Sequence, residues 1–586
     1  MSKRLNLAVA FLVTLGCFFY PELRGEAIRQ AERNRDRTCL QPATDPQPLQ
    51  PLQPSQPLQP SQPTLPPQPT QNPVTWELPC PYAQVSWPGI HRDSRNSNCL
   101  PLDTTDQLKP KWHALKDECS AVLTALVTGP EGNLYFTTGK EDTYGNLHAF
   151  DREGNELWRS YLLDFGALAS SPLVDREGDL YLGDMDEFFG FHADGTLKWR
   201  CVDIKGPFGS SVFSREGYII AINKDGLVYA LDPRDGKMAA APLELPGDLP
   251  PAGSRELSPP AGLWKGMLAD EIISGLFNGF YGHQYKVVNT PAVNPATGRI
   301  YIPGTIKKPQ SLALNSSAVE GVFYGIDLIH SCPGMPLELT LAFLTRMSAD
   351  SGSSPAVSPD GSHIYVLGGA GNLHAFDKDG NNVWSLLVDS LPASPAIGPD
   401  GTIYCLASSH LYAVEDRENR GVILWKMNLT DPLLATLPDA PPAGFEKFDH
   451  RKITPVVKCN SVVSVSRNHL YLAAAAGYEV RLKDQVLPTF FPIKSFLVAV
   501  SPPDRQCKRS QPDICSMVEL PDVCGGIITL DLDGTIYCPY ASIASSIAYG
   551  ISQEMDLGLC KPTGGVTALG PVDPQNLTCT QSPRGL

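Results

Sequence analysis

From about residue 120 to residue 550 the apolar positions come in short runs, each closed by a turn signal, and the runs recur as sets. Ser171-Pro-Leu-Val-Asp-Arg-Glu-Gly178 leads to Leu180-Tyr181, then Phe189-Gly-Phe-His-Ala-Asp-Gly195 and Trp199. Ser354-Pro-Ala-Val-Ser-Pro-Asp-Gly361 leads to Ile364-Tyr365, His374-Ala-Phe-Asp377 and Trp384. Ser394-Pro-Ala-Ile-Gly-Pro-Asp-Gly401 leads to Ile403-Tyr404, Tyr412-Ala-Val-Glu415 and Trp425. Trp158 and Trp199 stand 41 residues apart, and so do Trp384 and Trp425. In each set a small-Pro pair opens a short strand, and an Asp-Gly or Glu-Gly turn makes a hairpin. A Tyr-centred strand, a third strand, a second Gly turn and a Trp-ending strand follow. Four antiparallel strands in about 40 residues make one propeller blade, which must stack on others to cover its faces.

Seven such sets are visible. Six end near Trp158, Trp199, Ala240, Arg346, Trp384 and Trp425; the seventh opens at Thr454-Pro-Val-Val457 and includes Phe496-Leu-Val-Ala-Val500. An eighth begins at Gly526-Ile-Ile-Thr-Leu530 and continues through Tyr537 and Ser546-Ile-Ala-Tyr-Gly550, without a fourth strand downstream. Val74–Leu78 or Ala83–Trp87 would supply that strand by pairing the two chain ends, leaving no open sheet edge. The expected fold is all-β: a propeller of eight four-stranded blades, or seven if the last does not complete. It would span residues 74–550. An insertion at 241–288 carries helical spacing around Trp264, Met267, Leu268, Ile272 and Phe277, and Trp264 and Phe277 are recognition candidates.

The repeats resemble the pyrroloquinoline-quinone-type repeat of quinoprotein alcohol-dehydrogenase-like propellers. The resemblance rests on Ala-x-Asp, Gly and a closing Trp, present as Ala149-Phe-Asp151, Gly154, Trp158 and as Ala375-Phe-Asp377, Gly380, Trp384. It implies that Trp158, Trp199, Trp384 and Trp425 pack between neighbouring blades. The chain is also similar to the scaffold lipoprotein of bacterial outer-membrane protein assembly. That relative is shorter and lacks this cysteine load, so its partner is not carried over.

The chain ends change the picture. Lys3 and Arg4 precede an apolar run, Leu5 to Tyr20, and polar chain follows at once, so residues 1–27 read as a signal peptide or a retained N-terminal anchor. Val13-Thr-Leu-Gly-Cys17 makes a lipidated Cys17 a third route to a membrane. Residues 28–73 form a Pro/Gln-rich linker with nothing to bury, expected to be disordered. There are 15 Cys and no Cys-x-x-Cys, which fits disulfides better than zinc ribbons or haem attachment. Cys507, Cys515, Cys524, Cys538, Cys560 and Cys579 crowd the C-terminal end. The expectation is that they pair with one another and that 551–586 is a disulfide-tied extension, with Cys538, like Cys405, reading equally well as a buried free thiol in a strand. The product would be secreted, periplasmic or held at the cell surface.

The net charge of −15 argues against nucleic acid and anionic lipid as partners. Catalytic constellations are absent: no His-Glu-x-x-His, no Gly-x-Ser-x-Gly, no phosphate loop. His148 and His374 share a repeat position with Tyr229, Tyr324 and Tyr412, which marks them as packing residues. Asp377-x-Asp379-Gly-Asn381 and Asp531-x-Asp533-Gly resemble calcium loops, yet each falls where a hairpin turn is required and lacks the terminal Glu. The family's quinoprotein dehydrogenases have adjacent cysteines over the quinone, and this chain has none. The reading is therefore a non-enzymatic binding or scaffold propeller for a protein or glycan, with no catalytic, cofactor or metal residues assigned. The alternative is an oxidoreductase of alcohols or sugars using pyrroloquinoline quinone with calcium.

Overall fold

The computed structural model describes residues 78–572, save for 80, 117, 141–143, 250–284, 308–318, 331–335, 348–352, 370, 389–392, 408, 449–452, 460, 481–488, 504–509 and 542. The readings of residues 1–27 and 28–73, of Cys17, Trp264 and Phe277, and of Cys507 and Cys579 lie outside the described residues.

Eight sheets follow one another along the chain and form an eight-bladed propeller, antiparallel throughout except where Ala240–Ala241 pairs parallel with the outer strand of the fourth. Blade 1 spans 127–160, blade 2 173–201, blade 3 212–244, blade 4 292–347, blade 5 356–387, blade 6 396–428 and blade 7 464–520. Blade 8 takes three strands from 529–571 and its outermost strand, Leu108–Ala114, from the other end of the sequence. That strand pairs antiparallel with Val566–Pro571, so the two ends of the described chain close the ring.

The same two rings recur inside the blades. A Tyr on the second strand stands beside an aromatic ring on the fourth: Tyr135 and Trp158 at 5.8 Å, Tyr181 and Trp199 at 5.7 Å, Tyr365 and Trp384 at 6.1 Å, Tyr404 and Trp425 at 6.0 Å. Blade 4 uses Phe343 beside Tyr301, and blade 8 uses Trp112 beside Tyr537. The indole of Trp158 lies over Gly195 of blade 2, where a Cβ would sit 2.6 Å away. Gly195 also has φ +83°, so both conformation and space require glycine there. Trp112 of blade 8 covers Gly154 of blade 1 in the same manner and donates from Nε1 to Arg152 O at 2.8 Å. The seam where the ring closes thus has the packing of its other junctions.

Several expected boundaries move. The closing strand is Leu108–Ala114 rather than 74–78 or 83–87, because residues 82–102 are used elsewhere. Residues 546–550 belong to a helix, Ile543–Met555, not to a strand. Ala544, Ala548 and Ile551 recur at helical spacing and are buried against Tyr478, Phe490 and Phe491. The third strand of blade 8 is Val566–Pro571, so the propeller runs past 550 into what was expected to be a C-terminal extension. Blade 7 opens at Ser464–Val465; Ile453–Cys459 instead pairs with the far half of the long strand Leu470–Val480. Leu243–Glu244 is the fourth strand of blade 3, so the insertion starts after it.

Candidate functional site

The innermost strand of each blade pairs on one side only and turns an unpaired edge toward the axis. Such an edge presents backbone donors that need partners once water is excluded. Residues 82–102 supply them by winding around the inside of the ring. Thr128 N of blade 1 donates to Trp87 O at 2.9 Å, and Val174 N of blade 2 donates to Pro88 O at 2.8 Å. Val293 N, Val357 N, Ile397 N and Val465 N, from blades 4 to 7 in order, donate to Ser94 O, Arg95 O, Ser97 O and Asn98 O at 2.6–2.9 Å. Blade 3 is reached through Tyr82, whose hydroxyl accepts from Phe213 N at 3.3 Å. Blade 8 is reached through Ser86, whose hydroxyl donates to Asp531 Oδ1 at 2.9 Å. All eight blades therefore touch one segment.

The local sequence explains this path. His91-Arg-Asp-Ser-Arg-Asn-Ser-Asn98 has no strand or helix periodicity. Asn96 and Asn98 take φ +57° and +52°, a region asparagine tolerates better than most residues, and Arg92 takes φ +75°. Each such residue turns the backbone, so successive carbonyls reach successive blades. The Asn96 side chain donates to Pro291 O at 3.1 Å and to Pro355 O at 2.9 Å, joining the small-Pro openings of blades 4 and 5.

Charged and titratable groups sit inside this plug. Asp93 accepts from Arg95 N, Ser97 N and Ser97 Oγ at 2.7–3.1 Å, with Arg92 and Arg95 both at 3.5 Å. Burial pushes its carboxyl up, but the two guanidinium groups and the Ser97 bonds outweigh it and hold the carboxyl below its ordinary value. His91 lies with Nδ1 2.9 Å from Asn98 Oδ1 and Nε2 3.0 Å from Ser354 Oγ. Nδ1 therefore carries the proton, and burial pulls the ring down to about 4, keeping it neutral. Clustered perturbed groups are what an active site would show. Here both nitrogens of His91 and both oxygens of Asp93 are already taken by the chain itself.

The repeated serines explain the small-Pro openings. Ser171 Oγ accepts from Ala125 N at 3.0 Å, Ser210 Oγ from Ser171 N at 2.8 Å, Ser354 Oγ from Thr290 N at 3.2 Å and Ser394 Oγ from Ser354 N at 3.1 Å. Each hydroxyl latches one blade to its neighbour near the axis.

The residues singled out in the sequence are placed as follows. Trp158, Trp199 and Trp384 lie at junctions with the next blade, donating from Nε1 to Ala193 O, Pro233 O and Asp416 Oδ1 at 2.9–3.0 Å. Trp425 is partly buried beside Leu472, Val457 and Phe496 of the blade 7 region. His148 is buried between Glu156 and Thr138, both at 3.1 Å, and His374 bonds Ser385 at 2.8 Å; burial lowers both, His374 to about 4. Asp377 accepts from Asp379 N, Asn381 N and Asn381 Nδ2 at 2.8–2.9 Å, closing the turn on itself. Cys515, Cys524, Cys538 and Cys560 carry no disulfide in the structure. Cys515 lies on the outer strand of blade 7, while Cys524 and Cys538 lie in the core shared by blades 7 and 8. They are parts of the ring rather than of a separate tail.

Residues 106–243 match the family described as "Outer membrane protein assembly factor BamB", a stretch running from the ring closure through blade 3. No curated protein matches the chain. Among solved structures, BamB from Moraxella catarrhalis is 11% identical, covering 79% of this chain and 99% of its own, with a TM-score of 0.40. A europium-containing methanol dehydrogenase is 11% identical, covering 83% and 98%, with a TM-score of 0.45. The quinohemoprotein alcohol dehydrogenase from Comamonas testosteroni is 12% identical, covering 82% and 80%, with a TM-score of 0.47.

Proposed function

The chain is a pyrroloquinoline-quinone-type repeat β-propeller, and we propose that it is a non-enzymatic binding or scaffold protein, exported and held away from its anchor by the Pro/Gln-rich stretch at 28–73. One observation carries the reading. A propeller's central channel is a natural place for a small ligand, and here the axis is threaded by residues 82–102, whose carbonyls accept from the inner strands of six blades. Chemistry would need those groups free. The blade perimeter remains for recognition. On the outer strands of blades 1 and 2, and just beyond them, Leu157, Tyr161, Leu162, Leu197 and Val202 are exposed, and grouped exposed apolar residues fit a protein partner. No helix among the described residues is long and apolar enough to cross a membrane, so attachment would come from the N-terminal segment.

The test has two arms. Purified protein is mixed with pyrroloquinoline quinone and calcium, and dye reduction is followed with alcohols and sugars. In parallel a photo-crosslinking residue replaces Tyr161 in the native cell. The expected result is no quinone-dependent reduction, and a crosslinked partner lost when Leu157 and Leu162 become Asp. Quinone-dependent turnover would overturn the reading in favour of an oxidoreductase.

A further inference from the structure

Among the described residues, one trio of His, Cys, Asp or Glu is close enough to share a metal ion: Asp106, His469 and Cys515, whose ligand atoms all lie within 4.8 Å of one another. The three come from different parts of the fold. His469 immediately precedes the second strand of blade 7, Leu470–Val480. Cys515 is on the outer strand of that blade, and Asp106 belongs to the chain leaving the central plug, two residues before the closing strand. The pairing of blade 7 shifts register between Ala499 and Val500, which face Ser516 and Ile514, so Cys515 is the bulged residue, at the irregularity that the outer strand pairs of six other blades share. A bulge re-aims a side chain.

The peptide around Asp106 is fixed to the same end of blade 7. Asn468 Oδ1 accepts from Thr104 N and its Nδ2 donates to Thr104 O, both at 2.9 Å. Tyr471 donates to Thr105 O at 2.8 Å, and Arg467 pairs with Asp103 at 3.1 Å. Supporting groups also touch the ligands: Ser501 Oγ is 3.4 Å from Cys515 Sγ, and Thr104 Oγ1 is 3.3 Å from His469 Nδ1. Such outer partners orient metal ligands.

We propose that Asp106, His469 and Cys515 bind one zinc ion, which staples the ring-closing segment to blade 7. The donor set decides the metal. A thiolate, an imidazole and a carboxylate together suit zinc, whereas calcium and magnesium take oxygen ligands. Zinc–ligand bonds of about 2.0–2.3 Å put tetrahedral ligand atoms roughly 3.5 Å apart, so the trio needs only side-chain closure from its present spacing. Three protein ligands leave a fourth position for water. Binding releases the Cys515 proton, so affinity rises with pH. The consequence is structural: the ion would tie the segment between plug and closing strand to the blade it crosses. This does not depend on what the propeller binds.

The experiment uses the full mature chain, stripped with chelator and held reduced. Cobalt(II) is added first, then zinc. The expected result is one equivalent of cobalt, with the near-ultraviolet absorption of a cobalt–thiolate bond, displaced by one equivalent of zinc. Zinc should raise the melting temperature of the parent. Cys515→Ser should abolish the thiolate band and weaken zinc binding at least 100-fold, and Asp106→Asn, at a partly exposed position, should weaken it at least tenfold while folding normally. The proposal is overturned if the parent shows no thiolate band, or if Asp106→Asn and Cys515→Ser bind like the parent, which would place the metal elsewhere.

Discussion

Trp384→Ala tests the packing logic of the ring. Trp384 is 6% exposed and fills the junction between blades 5 and 6, its indole 2.7 Å from where a Cβ on Gly421 would sit. Truncating so large a buried ring costs about 3–5 kcal/mol. Its Nε1 is also a donor to Asp416 Oδ1 at 2.9 Å, while Asp416 Oδ2 is shared with His363 and Tyr365. Removing the donor leaves one carboxylate oxygen short of a partner, which adds about 1–3 kcal/mol. A ring of this size unfolding as one unit has an entropy on the order of 1 kcal/mol/K, so the melting temperature should fall by about 4–8 °C. Trp384→Phe keeps most of the volume and loses the hydrogen bond, so it should lie between Ala and the parent. The assay is thermal unfolding by circular dichroism at fixed scan rate, since large chains often unfold irreversibly. If Trp384→Ala melts within 1 °C of the parent, the indole is not wedging the blades and the packing account fails.

Three other outcomes are expected. His91 and His374, both pulled down to about 4 by burial, are neutral in the fold but titrate near 6.5 when unfolded, so stability is full above pH 6.5 and declines as pH falls from there toward 4. His91→Gln should flatten that decline in denaturant titrations; an unchanged slope would refute the assignment. Limited proteolysis should remove residues 28–73 and stop before residue 82, because the plug beyond is enclosed, and cleavage within 82–102 of the folded protein would contradict it. The Cys538 thiol is pushed well above its ordinary value, first by its hydrogen bond to Cys524 and then by burial. In protein exported by its own cell, where disulfide-donating oxidoreductases can take up the two electrons, non-reducing peptide mapping should find Cys524 linked to Cys538; two free thiols there would reject the pairing.

The blades were legible because their cause is local. An Asp-Gly turn, a Tyr strand and a closing Trp each act within about 40 residues, and Trp158, Trp199, Trp384 and Trp425 mark them at sight. Trp112 serves as the eighth blade's aromatic, but its partners Val566–Pro571 lie at the far end of the chain, so no repeat announced it. Phe343 was hidden because it replaces the expected Trp. The helix Ile543–Met555 was misread because Ser546-Ile-Ala-Tyr-Gly550 is apolar enough for either element, and only the longer spacing of Ala544, Ala548 and Ile551 separates them. The plug left the faintest trace. Its one signal was a polar run, His91 to Asn98, with asparagines able to adopt positive φ, lodged between Trp87 and Leu100. A segment that follows the inside of a ring has the periodicity of neither helix nor strand.

Plug, Asp106 and closing strand are one continuous stretch, and that contiguity has a physical consequence. Residues 82–114 find their partners far along the chain: Ser86 meets Asp531, 445 positions away, and His113 meets Gly564, 451 positions away. Loop-closure entropy for such contacts is recovered only once the whole ring exists. Until blades 1 to 8 stand in a circle, Tyr82 and Trp87 have no pocket and the inner strand edges have no carbonyls to meet. This stretch therefore has its full set of contacts only when the ring is complete. Every blade also depends on it, because the segment bonds to the inner strands of seven blades and to Asp531 just after that of the eighth, while its continuation supplies the eighth's outer strand. The plug couples the blades to one another through shared hydrogen bonds.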